Sequence, residues 1–176
     1  TAQIAVQASL TGHLVFSTLH TNDAPTAVTR LVDMGIEPYL VASSLEAAVA
    51  QRLVRVLCPH CKQVDNSPKA LSFRDEIGLS ANQELFRAVG CQECRQTGYS
   101  GRRAVFELMD MDEDVRQLVL RTSSTGEIRK IAQQHGLRTL RQDGWRIVAE
   151  GETTIDEVLR VTKAGRDEGA VVANGR

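Results

Sequence analysis

Four cysteines stand in two C-x2-C pairs, Cys58-Pro59-His60-Cys61 and Cys91-Gln92-Glu93-Cys94, with 29 residues between them. Two such pairs suit one tetrahedral zinc ion. Each x2 spacing folds a tight knuckle whose backbone N–H groups can bond thiolates while both sulfurs face the same metal. Four soft thiolates leave no open position, so the chemistry expected of the site is structural rather than catalytic. A Zn²⁺ held this way carries a formal charge of about −2, and Lys62 and Arg95, each following the second cysteine of a pair, place cations beside it. His60 could substitute as a ligand, but with four thiols at hand it reads as a solvated knuckle residue. Disulfides or a redox pair are the alternatives, and a reducing compartment disfavours the first.

A second constellation is Thr11-Gly12-His13-Leu14-Val15-Phe16-Ser17-Thr18-Leu19-His20-Thr21-Asn22. Ligands of open parallel sheets bind outside the carboxyl ends of the strands, which is where His20 would sit. On these residues alone the competing reading is a polar stretch that ends a strand and caps the next helix. His13, at the strand's start, reads as a packing or hydrogen-bonding residue, and His135, before Gly136, as a cation near a helix C-terminus. Arg52, Arg55, Arg102 and Arg103 could contact phosphates or a neighbouring subunit, against a default of surface solvation; Arg52 is the candidate for cofactor contact. Gly98-Tyr99-Ser100-Gly101-Arg102-Arg103 is no phosphate loop, because no Gly-Lys-Ser/Thr run is present and a strand follows where a helix is needed. It reads as a turn closing the metal segment.

Positioning these groups calls for an α/β chain. Residues 13–19 form a nearly continuous apolar run, expected as a strand buried on both faces of a parallel sheet. Asn22 or Asp23 caps a helix with Pro25 in its first turn, closing near Gly35. A second helix is expected after Pro38, with Val41, Leu45, Ala48 and Val49 on its apolar stripe, followed by a strand over 52–57. Residues 58–111 carry the cysteines and end in a strand over 103–109. Residues 112–163 are helical throughout, punctuated by Gly136 and Gly151, and 164–176 read as a disordered tail. The chain has 176 residues and a net charge of −1, which gives no global footprint for nucleic acid. No apolar run approaches membrane-spanning length, so the chain is expected to be soluble and cytoplasmic. It opens on Thr1 in what looks like mid-helix, which reads as a fragment.

Together these segments resemble the C-terminal part of the secretion ATPases that drive type II protein secretion and type IV pilus assembly. Residues 1–13 resemble the stretch after the family's Walker B motif, and residues 13–24 its histidine box. Residues 50–55 match the helix-to-strand junction that follows, while the paired cysteines and Gly98-Tyr99-Ser100-Gly101-Arg102 match its metal subdomain. Residues 151–162 resemble its C-terminal helix.

The resemblance implies a RecA-like P-loop ATPase core over 1–57, a tetracysteine zinc subdomain with its return strand over 58–111, and a helical subdomain over 112–163. It implies a homo-hexamer at the cytoplasmic face of the inner membrane, associated with membrane platform proteins of a secretion or pilus system and not with nucleic acid. His20 then stands near the γ-phosphate with His13 as its partner, and Zn²⁺ binds Cys58, Cys61, Cys91 and Cys94. ATP and Mg²⁺ belong to the complete protein, because neither a Walker A nor a Walker B motif is present in these residues. The alternative is a zinc-ribbon module that binds nucleic acid or a partner without catalysis. It would need stacking aromatics along a basic stripe, whereas 58–103 hold only Phe73, Phe86 and Tyr99.

Overall fold

The structure, a computed structural model, describes residues 1–80, 82–121 and 124–162. In chain order its elements are α1 (Ala2–Leu10), α2 (Pro25–Asp33), α3 (Pro38–Ser44), β1 (Ala47–Leu57), β2 (Gln63–Val64), α4 (Pro68–Ser72) and α5 (Arg74–Ile77). They continue with β3 (Phe86–Arg87), β4 (Tyr99–Asp110), α6 (Glu113–Arg121), α7 (Thr125–Gln134), α8 (Leu140–Ala149) and α9 (Ile155–Thr162). β1 pairs with β4, and β2 pairs antiparallel with β3, Gln63 opposite Arg87 and Val64 opposite Phe86. No described helix is long and apolar enough to cross a membrane.

The chain divides into two compact units. The first takes residues 1–50 and 107–138. Val28 of α2, Val41 of α3, Met109 of β4, Val115 of α6 and Ile128 of α7 are each completely buried there. The second takes residues 51–106 and, among the described residues, 139–162, around a core that includes Val54, Val105, Ile147 and Val158. Burying an aliphatic side chain of this kind contributes roughly 1.5–3 kcal/mol, so both units hold apolar cores of their own.

Local signals explain most boundaries. Asp23 accepts the Thr26 N–H at 3.0 Å and Pro25 occupies the first turn of α2, as expected. Gly35 closes that helix at φ +84°, a conformation open to glycine without strain. In α8, Thr139 and Gln142 form a reciprocal capping box. His135 ends α7 with Nδ1 2.5 Å from the Asp112 carboxylate that also caps α6, which agrees with its reading as a cation at a helix C-terminus.

Three expectations are corrected. Residues 13–19 form no strand, and Leu14 and Phe16 are 80% and 88% exposed. A strand of a parallel sheet needs flanking strands to take its backbone bonds and layers to cover its faces, and no described strand pairs with this one. The helix after Pro38 stops at Ser44, and Ala48 and Val49 lie in β1. There they point to opposite faces, Ala48 buried and Val49 exposed, the period of two that defines a strand. Finally, β4 starts at Tyr99, so most of the glycine-rich stretch expected as a turn is already strand, entered through Gly98 at φ +76°. The expected tail, 164–176, lies outside the described residues.

Candidate functional site

The first knuckle turns on the Cys58 carbonyl, which accepts the N–H groups of Cys61 at 3.4 Å and Lys62 at 3.0 Å. The second uses the Cys91 carbonyl, which accepts the Gln96 N–H at 2.8 Å, with Arg95 and Gln96 held at φ +54° and +64°. Non-glycine residues rarely adopt this conformation, and here it winds the backbone around the sulfurs. Gly98 ties the two knuckles together. Its carbonyl accepts the Cys58 N–H at 3.0 Å, and its own N–H donates to Cys94 Sγ at 3.2 Å. A Cβ at Gly98 would come within 2.7 Å of the Ala88 Cβ, so the close approach demands glycine.

All four sulfurs lie within 4.8 Å of one another. Cys58–Cys91 and Cys61–Cys94 are 3.9 Å apart and Cys91–Cys94 is 3.8 Å. A disulfide would require about 2.05 Å, and all four cysteines are free. A tetrahedral zinc with ligands at about 2.3 Å has sulfur–sulfur edges of about 3.8 Å, so the donor set fits that ion in type, number and spacing.

The N–H groups of Gly90, Cys91 and Gly98 donate to these sulfurs. Burial pushes the Cys94 thiol up, but the Cys91 and Gly98 donors and the neighbouring thiols bring it down to about 6. Cys61 moves to about 11, raised by burial and by its three neighbours against the single Gly90 bond. The Cys94 thiol therefore ionises more readily than an ordinary cysteine. His60 is exposed and outside the cluster.

The surroundings of the cluster were not legible in the sequence. Lys62 donates to the Gly151 carbonyl at 2.9 Å, with its ammonium 4.4 Å above the Phe86 ring. Tyr99 shares a hydrogen bond with Thr154 at 3.0 Å and carries the Arg55 guanidinium 4.0 Å above its ring. Arg55 in turn pairs with Glu157 at 2.5 Å, and Arg103 pairs with Glu150 and Glu152, so both arginines serve the second unit's own packing. Phe73 and Trp145 rings, 5.8 Å apart, fasten the segment between the cysteine pairs to α8.

The histidine segment belongs to the first unit. His13 and His20 are both exposed on a stretch without regular structure, and His13 Nδ1 is 3.0 Å from Thr11 Oγ1. Beyond His20 the chain turns inward: Asp23 and Ala24 are 8% and 2% exposed. Arg52 lies half-buried on β1, its guanidinium 3.4 Å from the Gln51 carbonyl.

The model of the family described as type II/IV secretion system protein matches residues 1–160. Type II secretion system protein HxcR of Pseudomonas aeruginosa is 51% identical over 163 residues, covering 93% of this chain and 31% of its own length. The type IV pilus assembly ATPase PilB of Thermus thermophilus is 45% identical over 166 residues, covering 92% of this chain and 18% of its own. The chain spans about a third or less of the length of these curated relatives. Among solved structures, the pilus retraction motor PilT with bound ADP matches at TM-score 0.58 and 19% identity, over 90% of this chain and 35% of that one. The Legionella pneumophila ATPase DotB matches at TM-score 0.58 and 19% identity, over 93% and 35%. The chain belongs to the type II/IV secretion system protein family and shares the mixed helix-and-strand fold of the matched regions of these two structures.

Proposed function

We propose that the chain is the C-terminal part of a homo-hexameric ATPase that powers type II protein secretion or type IV pilus assembly from the cytoplasmic face of the inner membrane, against platform proteins there. The family match over residues 1–160, at about half identity to secretion relatives, carries this reading. Residues 1–57 serve as part of the nucleotide-binding core and 58–111 as the zinc subdomain. Cys58, Cys61, Cys91 and Cys94 hold Zn²⁺, which braces the fold.

ATP and Mg²⁺, when bound to the complete protein, supply the transferred phosphoryl group and the charge that neutralises it. His20 donates a ring N–H toward the γ-phosphoryl oxygens, where charge develops in the transition state. His13 supports the same segment, and Arg52 contributes a cation toward bound nucleotide. No observation favours a nucleic-acid module.

The experiment is phosphate release by the complete protein and by this chain. His20→Ala in the complete protein lowers turnover by roughly 10- to 1000-fold and changes nucleotide affinity far less, because the contact acts in the transition state. The chain alone releases no phosphate above background, since it carries no Gly-x4-Gly-Lys-Ser/Thr run to position the nucleotide. Wild-type turnover in His20→Ala, or sustained hydrolysis by the chain alone, would overturn the assignment.

A further inference from the structure

Three residues beyond the exposed His20, the backbone enters a buried knot built by parts of the chain remote in sequence. Glu107 of β4 is 2% exposed, and its Oε1 accepts the Ala24 N–H at 2.9 Å. Asp23 is held at both oxygens. Oδ1 accepts from the Thr26 N–H at 3.0 Å and from the Thr26 hydroxyl at 2.6 Å, and Oδ2 pairs with the Arg129 guanidinium of α7 at 2.8 Å. A further link joins α2 itself to α7, Thr29 Oγ1 and Thr125 Oγ1 lying 3.2 Å apart.

Two acidic side chains are thus buried beside one short stretch of backbone. Burying a carboxylate is costly unless its oxygens are satisfied, and an apolar residue of similar volume often stabilises a core at least as well. Stability alone is therefore a poor account of Glu107 and Asp23. What the pair fixes is position: Ala24 is pinned to β4 and Asp23 to α7, so the chain leaves this unit's core at a set point and in a set direction. From Ala24 back to His20 is a four-residue reach of at most about 14 Å, and anchoring its inner end restricts where the imidazole can go.

We propose that Glu107 and the Asp23–Arg129 ion pair are positioning residues for His20, tying the histidine segment to β4 and α7. The proposal rests on the reading of His20 as a nucleotide-sensing residue. In phosphoryl transfer a displacement of about 1 Å at a contact group can cost about 100-fold in rate, so these residues act on turnover through His20 without touching nucleotide.

Two measurements test this. Hydrogen exchange on this chain reads the segment directly. Arg129→Gln speeds exchange at Thr21 to Ala24 by about tenfold or more while α3 and α6 keep their protection, Arg129→Lys restores part of it, and Glu107→Gln loosens Ala24 most. Arg129 is the decisive position, since its side chain is 29% exposed and its replacement leaves the core filled. Unchanged exchange in Arg129→Gln overturns the tether.

Turnover of the complete protein then reads the coupling. Arg129→Gln lowers kcat by roughly 5- to 50-fold with KM little changed, and adds no further loss in a His20→Ala background. Losses that multiply overturn action through His20. Full turnover in His20→Ala alone would instead sink the nucleotide-sensing reading, while the exchange result still decides the tether.

Discussion

The carboxylate of Glu157 on α9 is 1% exposed and fully engaged. It accepts the Arg55 backbone N–H at 3.0 Å and pairs with the guanidinium of Arg55 at 2.5 Å and of Arg160 at 2.9 Å. Burial pushes this carboxyl up, but the bonds from Arg160 and Arg55 outweigh it and hold the group at about 2, below its usual 4.5. A depressed folded pKa contributes stability that is complete above the unfolded value, here 4.5, and that drains away as pH falls toward 2. Denaturation of the second unit followed against pH should therefore show wild type losing stability steeply between pH 4.5 and 2, and Glu157→Gln losing much less over that window. At pH 7 the variant should be weaker by about 2–4 kcal/mol, toward the lower end because both arginines are half exposed. Parallel pH profiles for the two proteins would dismiss the clamp. Nothing in the sequence marked this pair: Arg55 lies 102 residues from Glu157, so no helical or strand spacing relates them. The cysteines were legible for the opposite reason, since the x2 spacing is itself the geometry of a knuckle.

At the scale of elements, α8 and α9 meet at Gly144. A Cβ there would lie 2.6 Å from Cγ1 and 3.0 Å from Cγ2 of Val158, itself completely buried. Glycine inside a helix costs roughly 1 kcal/mol relative to alanine, so on propensity alone Gly144→Ala would stabilise α8. The contact reverses the sign. Urea denaturation should show Gly144→Ala destabilising by about 1–3 kcal/mol as the helices are forced apart, with Val158→Ala in the same chain relieving part of the added loss. A stabilised Gly144→Ala would mean that the helices separate freely. The helices were legible wherever caps and a 3.6-residue apolar period coincide, as at Asp23, Pro25 and Gly35 for α2. The end of α3 was not, because Leu45, Ala48 and Val49 are spaced as a helical stripe, and only pairing with β4 draws the chain from Ala47 into a strand that turns Ala48 inward and Val49 outward. Residues 13–19 failed differently: their composition is that of a buried strand, but burial comes from neighbours, and Leu14 and Phe16 have none that cover them among the described residues.

For the whole molecule, two units built from interleaved stretches of chain could not be read from linear order, which places α6 to α9 in one helical run while α6 and α7 pack in the first unit and α8 and α9 in the second. This division makes the effect of metal removal specific. The knuckles are fastened to the turn between α8 and α9 by the Lys62–Gly151 and Tyr99–Thr154 bonds, all within the second unit. A structural zinc contributes on the order of 10–16 kcal/mol of binding energy that is also folding energy, comparable to the roughly 5–15 kcal/mol that holds a whole domain together. Zinc is thus expected at one ion per chain by elemental analysis under reducing conditions, and a strong chelator should release it together with four titratable thiols. Hydrogen exchange should then rise first at residues 58–64 and 85–99, and next at 150–157 as the turn loses its fastenings. Protection in α2, α3, α6 and α7 should persist, because the first unit buries Val28, Val41, Val115 and Ile128 without help from the cysteines. Cys91→Ser should reproduce the chelated pattern. Chains with no metal and undiminished protection around the cysteines would show that the sulfurs are held by packing alone. Loss of protection throughout the first unit on chelation would show that its core depends on the metal after all.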